Sequence, residues 1–416
     1  MATDITDIAH AVEAAAVMKL FPARPRLLAL GEPTHGEDTL LGLRNELFRQ
    51  LVEQEGYRTI AIESDCVRGL VVDAYVTSGT GTLDEVMERG FSHEWGAFPG
   101  NRELVRWMRA YNEDRPASER LRFAGFDGPL EITGAASPRQ SLTALHDHLA
   151  AHVDADLLPC TAETLDRLLG ADERWTDQAA MTDPSRSVGR SAEARELRLL
   201  ADDLVALLDT QAPHLITATS RDDRDRARLY GRTATGLLRY HSWMADTSPA
   251  RMTRLLATRD AMMAGNLLAL ADRGPALVHA HNSHLQRDRS TMRMWDHPLL
   301  EWWSAGALVG ARLGERYAFL ATALGTIHHH GVGTPPPDTL EGLLYALPED
   351  RRVIDAPRLA TALADTRPAP RVSPYFGYAP FDPAHLPWTD GVVYVRDVTW
   401  GQGLSSNDLR SGIMVG

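Results

Sequence analysis

Short apolar runs alternate with helix-period segments along this chain, and this alternation constrains its fold most strongly. The runs span residues 26–31, 58–63, 121–126, 275–281, 316–324 and 390–398. Apolar runs of this length between helical segments predict buried strands of a mostly parallel sheet. We therefore expect an α/β fold with a mostly parallel central sheet flanked by helices.

The first predicted strand is followed by a helix with an apolar face. Leucines recur along it at three- and four-residue spacing, at positions 40, 43, 47 and 51. Glu37 and Asp38 stand at its expected start, where negative charge is favourable to the helix dipole. Gly56 stands at its expected end.

The middle of the chain has a different pattern. Residues 136–270 contain helix-period segments without clear strands, which predicts a helical insertion or cap subdomain. Residues 1–135 and 271–416 would then form the first and second parts of the α/β core.

Charge and composition exclude several classes of protein. The chain has 43 basic and 56 acidic residues, a net charge of −13, which argues against nucleic-acid and polybasic membrane-surface partners. Two cysteines cannot form a disulfide framework. No basic leader or long apolar stretch is present, so we expect a cytoplasmic protein without a membrane partner. The composition does not indicate an oligomeric state.

Several common catalytic motifs are missing. The sequence has no G-x-S-x-G nucleophile elbow, no P-loop, no H-E-x-x-H and no G-x-G-x-x-G after a strand. A serine hydrolase of the usual α/β-hydrolase kind is therefore disfavoured, and we expect no nucleotide or nicotinamide cofactor.

Polar residues follow each of the first three predicted strands: Glu32 and His35, then Glu63 and Asp65, then Asp127. The carboxyl ends of parallel strands meet at one edge of a sheet, where sites usually lie. His35 could be a general base oriented by Glu32, or it could only complete a helix-entry turn. Glu63 and Asp65 could be an acid–base pair, although Asp65 also suits a helix cap.

Two histidine-rich segments lie further along the chain. His279, His281 and His284 could be catalytic, could bind a metal, or could be packing residues. Residues 328–330, three adjacent histidines, are more typical of a solvated or partly packed tract than of a site.

Other polar and aromatic residues complete the candidate set. Arg44 lies two turns after His35 and could point at the same cleft, or it could be an exposed helix residue. Trp302 could line an apolar pocket or pack within the fold. We assign to substrate binding a group of five residues: Asp65, Asp127, His93, Trp95 and Trp302.

The segment GEPTHGEDTLLGLRNELFRQLVEQEGYRTIAIESD resembles the signature of the erythromycin esterase family. The similarity continues through W-M-R-x-Y-N at 107–112, GFDG at 125–128, RDAMMAGN at 259–266 and AHNSHLQR at 280–287. It spans most of the chain, and the motifs are specific as a set.

This resemblance implies an α/β core with a helical part, and metal-independent hydrolysis of a macrolactone ester without a cofactor. Matched by motif, His35 is the general base and Glu32 its neighbouring acid. Arg44 and Glu63 match the arginine and glutamate of the family pattern. His284 best fits the second histidine, with His281 as the alternative.

The same acid–base set could serve other reactions. Dehydration, Michael-type addition or macrocyclisation of a polyketide in natural-product biosynthesis is the alternative to hydrolysis. In both cases the expected partner is a small-molecule polyketide or macrolactone. A third possibility is a metal-dependent or non-catalytic binder that uses the histidines.

Overall fold

The computed structural model describes residues 5–131, 134–294 and 297–399. The strands, in chain order, are β1 (Ala9–His10), β2 (Leu27–Glu32), β3 (Thr59–Asp65), β4 (Arg122–Asp127), β5 (Leu130–Glu131), β6 (Gly134–Ala135), β7 (Ala276–His281), β8 (Arg289–Met292), β9 (Leu300–Trp303), β10 (Tyr317–Ile327), β11 (Arg351–Asp355) and β12 (Gly391–Val398).

The helices are α1 (Ala14–Met18), α2 (Asp38–Glu55), α3 (Gly69–Ser78), α4 (Leu83–Arg89), α5 (Pro99–Asn112), α6 (Arg139–Ala150), α7 (Ala162–Leu169), α8 (Ala192–Thr210), α9 (Ala212–Ala218), α10 (Arg221–Met244), α11 (Arg251–Ala271), α12 (Asn282–Leu285), α13 (Ala305–Leu313), α14 (Leu340–Tyr345) and α15 (Ala356–Ala362). Within the described ranges, none of them combines the length and hydropathy that a membrane crossing requires.

Eight strands form one sheet in the order β1-β11-β12-β10-β2-β7-β3-β4. The neighbours from β12 to β3 pair in parallel, whereas β1 and β11 pair antiparallel at one edge. All six strands expected from the sequence are present, which confirms the mostly parallel α/β fold. The sequence analysis missed β1, which has two residues, and β11, which begins with two arginines.

Burial explains why the predicted strands form the centre of the sheet. Every residue of β2 and of β10 is buried, so these strands have no solvent face and lack polar–apolar alternation. The leucine stripe of α2 is buried as predicted, and the helix ends at Gly56 with a left-handed φ of 70°. Each fully buried leucine contributes about 1.5–3 kcal/mol relative to an exposed one.

The chain divides into two compact units. The first comprises Met1–Ser64, Arg68–Gly125 and Leu267–Gly416, and the second comprises Asp65–Val67 and Phe126–Asn266. The second unit has its own apolar core, in which leucines of α6, α7, α8 and α10 pack with Trp175. The predicted division into a core of residues 1–135 and 271–416 with a helical insertion at 136–270 stays a prediction.

Candidate active site

The order of strands brings three of the predicted residues to neighbouring strand ends. β7 lies between β2 and β3, so Glu32 at the end of β2 is paired in register with His281 at the end of β7. Glu63 lies near the end of β3, on the other side of β7. These residues are distant in sequence, and parallel pairing makes them neighbours.

Glu32 joins two histidines. Its Oε1 lies 2.8 Å from Nδ1 of His35, and its Oε2 lies 3.1 Å from Nε2 of His279. The other nitrogen of His279, Nδ1, lies 3.1 Å from the carbonyl oxygen of Leu30. Burial alone would raise the pKa of Glu32, but the two histidines hold it well below its ordinary value. Glu32 is therefore a buried carboxylate anion.

His281 is held by its own turn. Its Nδ1 accepts a hydrogen bond from the Ser283 backbone N–H at 3.2 Å and lies 2.7 Å from the Ser283 hydroxyl. Burial, helped by the nearby His35, lowers the pKa of His281 to about 4. The ring is therefore neutral at neutral pH, with its remaining proton on Nε2. Its centroid lies 5.3 Å from that of His35.

Glu63 holds the segment that follows β7. Its Oε2 accepts a hydrogen bond from the backbone N–H of His281 at 2.8 Å. Its Oε1 lies 3.3 Å from Nε2 of His284, which is also buried. One carboxylate thus fixes the start of α12 and the orientation of the second histidine.

A glycine makes the close approach of α12 to β2 possible. A Cβ at Gly31 would lie 2.1 Å from Oδ1 of Asn282, so no larger residue fits without displacement. The Asn282 side chain donates to the Thr322 carbonyl at 2.9 Å and accepts from the Thr322 N–H at 3.2 Å. Gly31 and Thr322 therefore set where α12 begins, and with it where His284 lies.

Arg44 is completely buried, at 0% exposure, so the exposed-helix alternative is wrong. Its guanidinium donates to Oδ1 of Asn45 at 2.8 Å and to Oδ1 of Asn101 at 2.9 Å. Its Nη1 has no hydrogen-bond partner among the described residues. Burial lowers the pKa of Arg44 to about 10, and the negative charge of Glu32 partly opposes this shift.

His93 and Trp95 belong to a strained turn. His93 and Glu94 both have positive φ angles, 55° and 58°, which cost non-glycine residues on the order of 1–3 kcal/mol each. Trp95 lies with its ring centroid 5.2 Å from that of His35 and 6.0 Å from that of His93. The turn thus brings an aromatic face against the candidate base.

The other predicted substrate-binding residues have different surroundings. In the second unit, Asp127 pairs with Arg259 at 2.7 Å, and Asp65 accepts the Val67 N–H at 2.7 Å, as in a helix-entry turn. In the first unit, Trp302 is buried in the β8–β9 ribbon opposite Ser290. Substrate contact by these three residues stays a prediction.

The strand-end histidines do not form a metal-ligand set in the part of the chain that the structure describes. There, one group of three residues brings its donor atoms within 4.8 Å of one another, and it consists of Glu37, His329 and His330. The sequence analysis favoured a solvated or partly packed tract for residues 328–330, and the structure has His328 exposed with His329 and His330 partly buried.

The sequence analysis did not assign three supporting residues to the site. His279 was considered only as one of a histidine cluster, and Asn45 and Asn101, which hold Arg44, were not considered. The sequence pattern could have indicated His279, because His279 and His281 stand at alternate positions of one strand and therefore share a face of the sheet.

The sequence model of the erythromycin esterase family matches residues 52–395. The chain belongs to this family. The matched range contains Glu63, His281 and His284, whereas Glu32 and His35 precede it. The resemblance noted from the sequence is thereby confirmed.

The chain is similar to a known esterase and to several solved structures. Over 271 residues it is 26% identical to erythromycin esterase type II of Escherichia coli. This alignment covers 63% of this chain and 61% of that protein. A Bacillus cereus protein of solved structure has a TM-score of 0.72 at 18% identity, covering 97% of this chain and 100% of that chain.

Two further solved structures share the fold. A succinoglycan biosynthesis protein has a TM-score of 0.68 at 16% identity, covering 94% of this chain and 95% of that one. An erythromycin esterase mutant in its open conformation has a TM-score of 0.61 at 18% identity, covering 91% of each chain. At such identities the likeness concerns the fold alone.

Proposed function

We propose that this esterase-family protein hydrolyses the lactone or ester bond of a macrolide or a related polyketide. His35 acts as the general base that removes a proton from the attacking water. The observation that carries the proposal is the pair of His35 and Glu32, in which a half-exposed imidazole is backed by a buried carboxylate.

The geometry supports a base at Nε2 of His35. Nδ1 carries the proton and donates a hydrogen bond to Glu32, which leaves Nε2 as the acceptor nitrogen. The side chain is 43% exposed, so a water and an ester carbonyl can approach that nitrogen. The buried anion also stabilises the imidazolium that forms when water loses its proton.

One group in the strand-end cluster could donate a hydrogen bond to the oxyanion of the tetrahedral intermediate. The neutral ring of His281 carries its proton on Nε2 and can offer it as a hydrogen-bond donor. Arg44 is completely buried, so it can act on the oxyanion only through its positive charge and not by direct contact. We propose that His281 is this donor and that Glu63 and His284 position it.

This mechanism needs no covalent nucleophile and no metal in the bond-breaking step. Of the two cysteines, Cys66 is buried, and burial together with the negative charge of Asp65 raises the pKa of its thiol to about 12. A thiol of that kind is a poor nucleophile at neutral pH. Activated water is therefore the attacking group in the proposal.

Mass spectrometry of products tests the proposal. The purified protein is incubated with macrolactones of different ring size and with linear polyketide esters. We expect a product heavier by one water for at least one macrolactone. A product lighter by one water, or an isomer of unchanged mass, would contradict hydrolysis and indicate elimination or cyclisation instead.

A further inference from the structure

We propose that Glu37, His329 and His330 form a binding site for a divalent transition-metal cation, of which Zn²⁺ fits best. Glu37 stands two residues after His35, and it feels the negative charge of Glu32. The proposed cation site therefore neighbours the residues assigned to hydrolysis, although the proposal does not depend on the proposed function. It joins the start of α2 to the turn that follows β10.

Two distances between donor atoms are close to those of a tetrahedral metal site, and all three donors lie within 4.8 Å of one another. Oε1 of Glu37 lies 3.0 Å from Nε2 of His329 and 3.5 Å from Nε2 of His330. Zinc binds nitrogen and oxygen ligands at about 2.0–2.1 Å, so neighbouring ligands of a tetrahedral site are separated by roughly 3.3 Å. Glu37 therefore needs only a small movement relative to each histidine for the pair to share one cation.

The chemistry of the donors selects the class of cation. Two imidazoles and one carboxylate are a common zinc set, with a fourth position left for water or another ligand. The same set also suits other first-row transition metals. Ca²⁺ and Mg²⁺ prefer oxygen ligands and are not expected to compete.

Glu37 is placed for this role rather than for capping. It occupies the N-cap position of α2, yet its carboxylate accepts no hydrogen bond from the helix backbone. The side chain is only 6% exposed and points instead at the two histidines. The position of the Glu37 carboxylate is therefore explained by its contacts with His329 and His330 and not by capping of α2.

The histidine turn is held in shape before any ion binds. Residues 328–330 form a 3₁₀ turn that ends at Gly331, which has a φ of 73°. Ile327 and Val332 close the turn through two backbone hydrogen bonds, of 2.8 Å and 3.1 Å. The ring of His330 stacks on Tyr375, with centroids 4.1 Å apart and planes 10° apart. Binding would therefore cost little conformational entropy.

Calorimetric titration with Zn²⁺ tests the proposal, using protein that carries no histidine tag. We expect one saturable equivalent per chain. Glu37→Gln and His330→Ala should each weaken binding at least tenfold. His328→Ala is the matched control, because this neighbouring histidine is exposed and should leave the affinity unchanged. Circular dichroism establishes that each variant is folded.

Two further readouts use the unaltered chain. Co²⁺ in place of Zn²⁺ should give the visible absorption bands of a tetrahedral site, and Zn²⁺ should raise the melting temperature with increasing concentration. The proposal is overturned if no saturable binding occurs. It is also overturned if His328→Ala weakens binding as much as His330→Ala, or if folded Glu37→Gln and His330→Ala keep the affinity of the parent. Because binding is measured without substrate, its failure is distinct from a failure of the proposed hydrolysis.

Discussion

Nδ1 of His35 lies 2.8 Å from Oε1 of Glu32, and the two side chains differ sharply in exposure: 43% for the histidine and 1% for the glutamate. The buried anion fixes one edge of the imidazole, while the opposite edge remains accessible. This division is what a general base requires, because one nitrogen must be oriented and the other must meet water.

Glu32→Gln removes the negative charge and keeps the size of the side chain. We expect kcat to fall by about 10–100-fold, because the imidazolium formed during the reaction loses its counter-charge. Steady-state kinetics measure the loss, and near-parental kcat in folded Glu32→Gln would argue against this supporting role. Glu46→Gln, an exposed change on α2, serves as the control.

His281 and His284 have different surroundings, and their variants should behave differently. His281→Ala removes the proposed oxyanion donor, for which we expect a loss of about 10²–10³ in kcat. His284→Ala removes a buried side chain that contacts Glu63 and has no direct role at the oxyanion in the proposal, so the loss should be smaller and accompanied by lower thermal stability. Steady-state kinetics on the same substrate compare the two. Equal losses, or a larger loss for His284→Ala, would reverse the assigned roles.

Gly31→Ala tests the contact between β2 and α12. The added Cβ would lie 2.1 Å from Oδ1 of Asn282, so we expect destabilisation of about 1–3 kcal/mol together with reduced activity. Gly42→Ala is the matched control, because a Cβ there has nothing within 4 Å. Within the helix α2 this control should stabilise by about 0.5–1 kcal/mol. Urea denaturation measures the free energy of unfolding of both variants. A Gly31→Ala variant as stable as the parent would show that the close approach of β2 and α12 does not require glycine.

The burial of His241 should make the stability of the second unit depend on pH. The residue is buried, its Nε2 lies 2.9 Å from the Ala136 carbonyl oxygen, and burial lowers its pKa to about 4. The unfolded chain binds the proton near pH 6.5 and the folded chain only near pH 4. Stability should therefore fall as the pH drops from about 6.5 to about 4, with a loss of about 2–3 kcal/mol.

Denaturation at several pH values, followed by helix content, measures this effect. His241→Gln should lose less stability between pH 7 and 4.5 than the parent protein. His214→Gln, an exposed histidine of the same unit, should keep the parental slope. A parental slope in His241→Gln would show that other groups cause the acid sensitivity.

The central strands were predictable because their signal is local. Buried strands such as β2 and β10 consist of apolar runs, and their ends are marked by polar residues. Strand β11, second from one edge of the sheet, escaped prediction because it starts with two arginines and takes its strand form from pairing with β1 and β12. Tertiary context, rather than local sequence, decides such a segment.

The candidate site was predictable only in part, for a similar reason. Polarity at strand ends indicated Glu32 and Glu63, but the partner of Glu32 depends on the register between β2 and β7. Asp127 followed a strand in the same way and instead pairs with Arg259, 132 residues away. Nothing near Asp127 in the sequence could have indicated that ion pair.

The rate of water addition to a macrolactone by His35→Ala tests the central claim most directly. Mass spectrometry follows the product heavier by one water for the parent and the variant under identical conditions. We predict a loss of about 10²–10⁴ in kcat, with an unchanged melting temperature because the side chain is half exposed, and partial rescue by added imidazole. Near-parental turnover by folded His35→Ala would contradict the assignment of His35 as the general base.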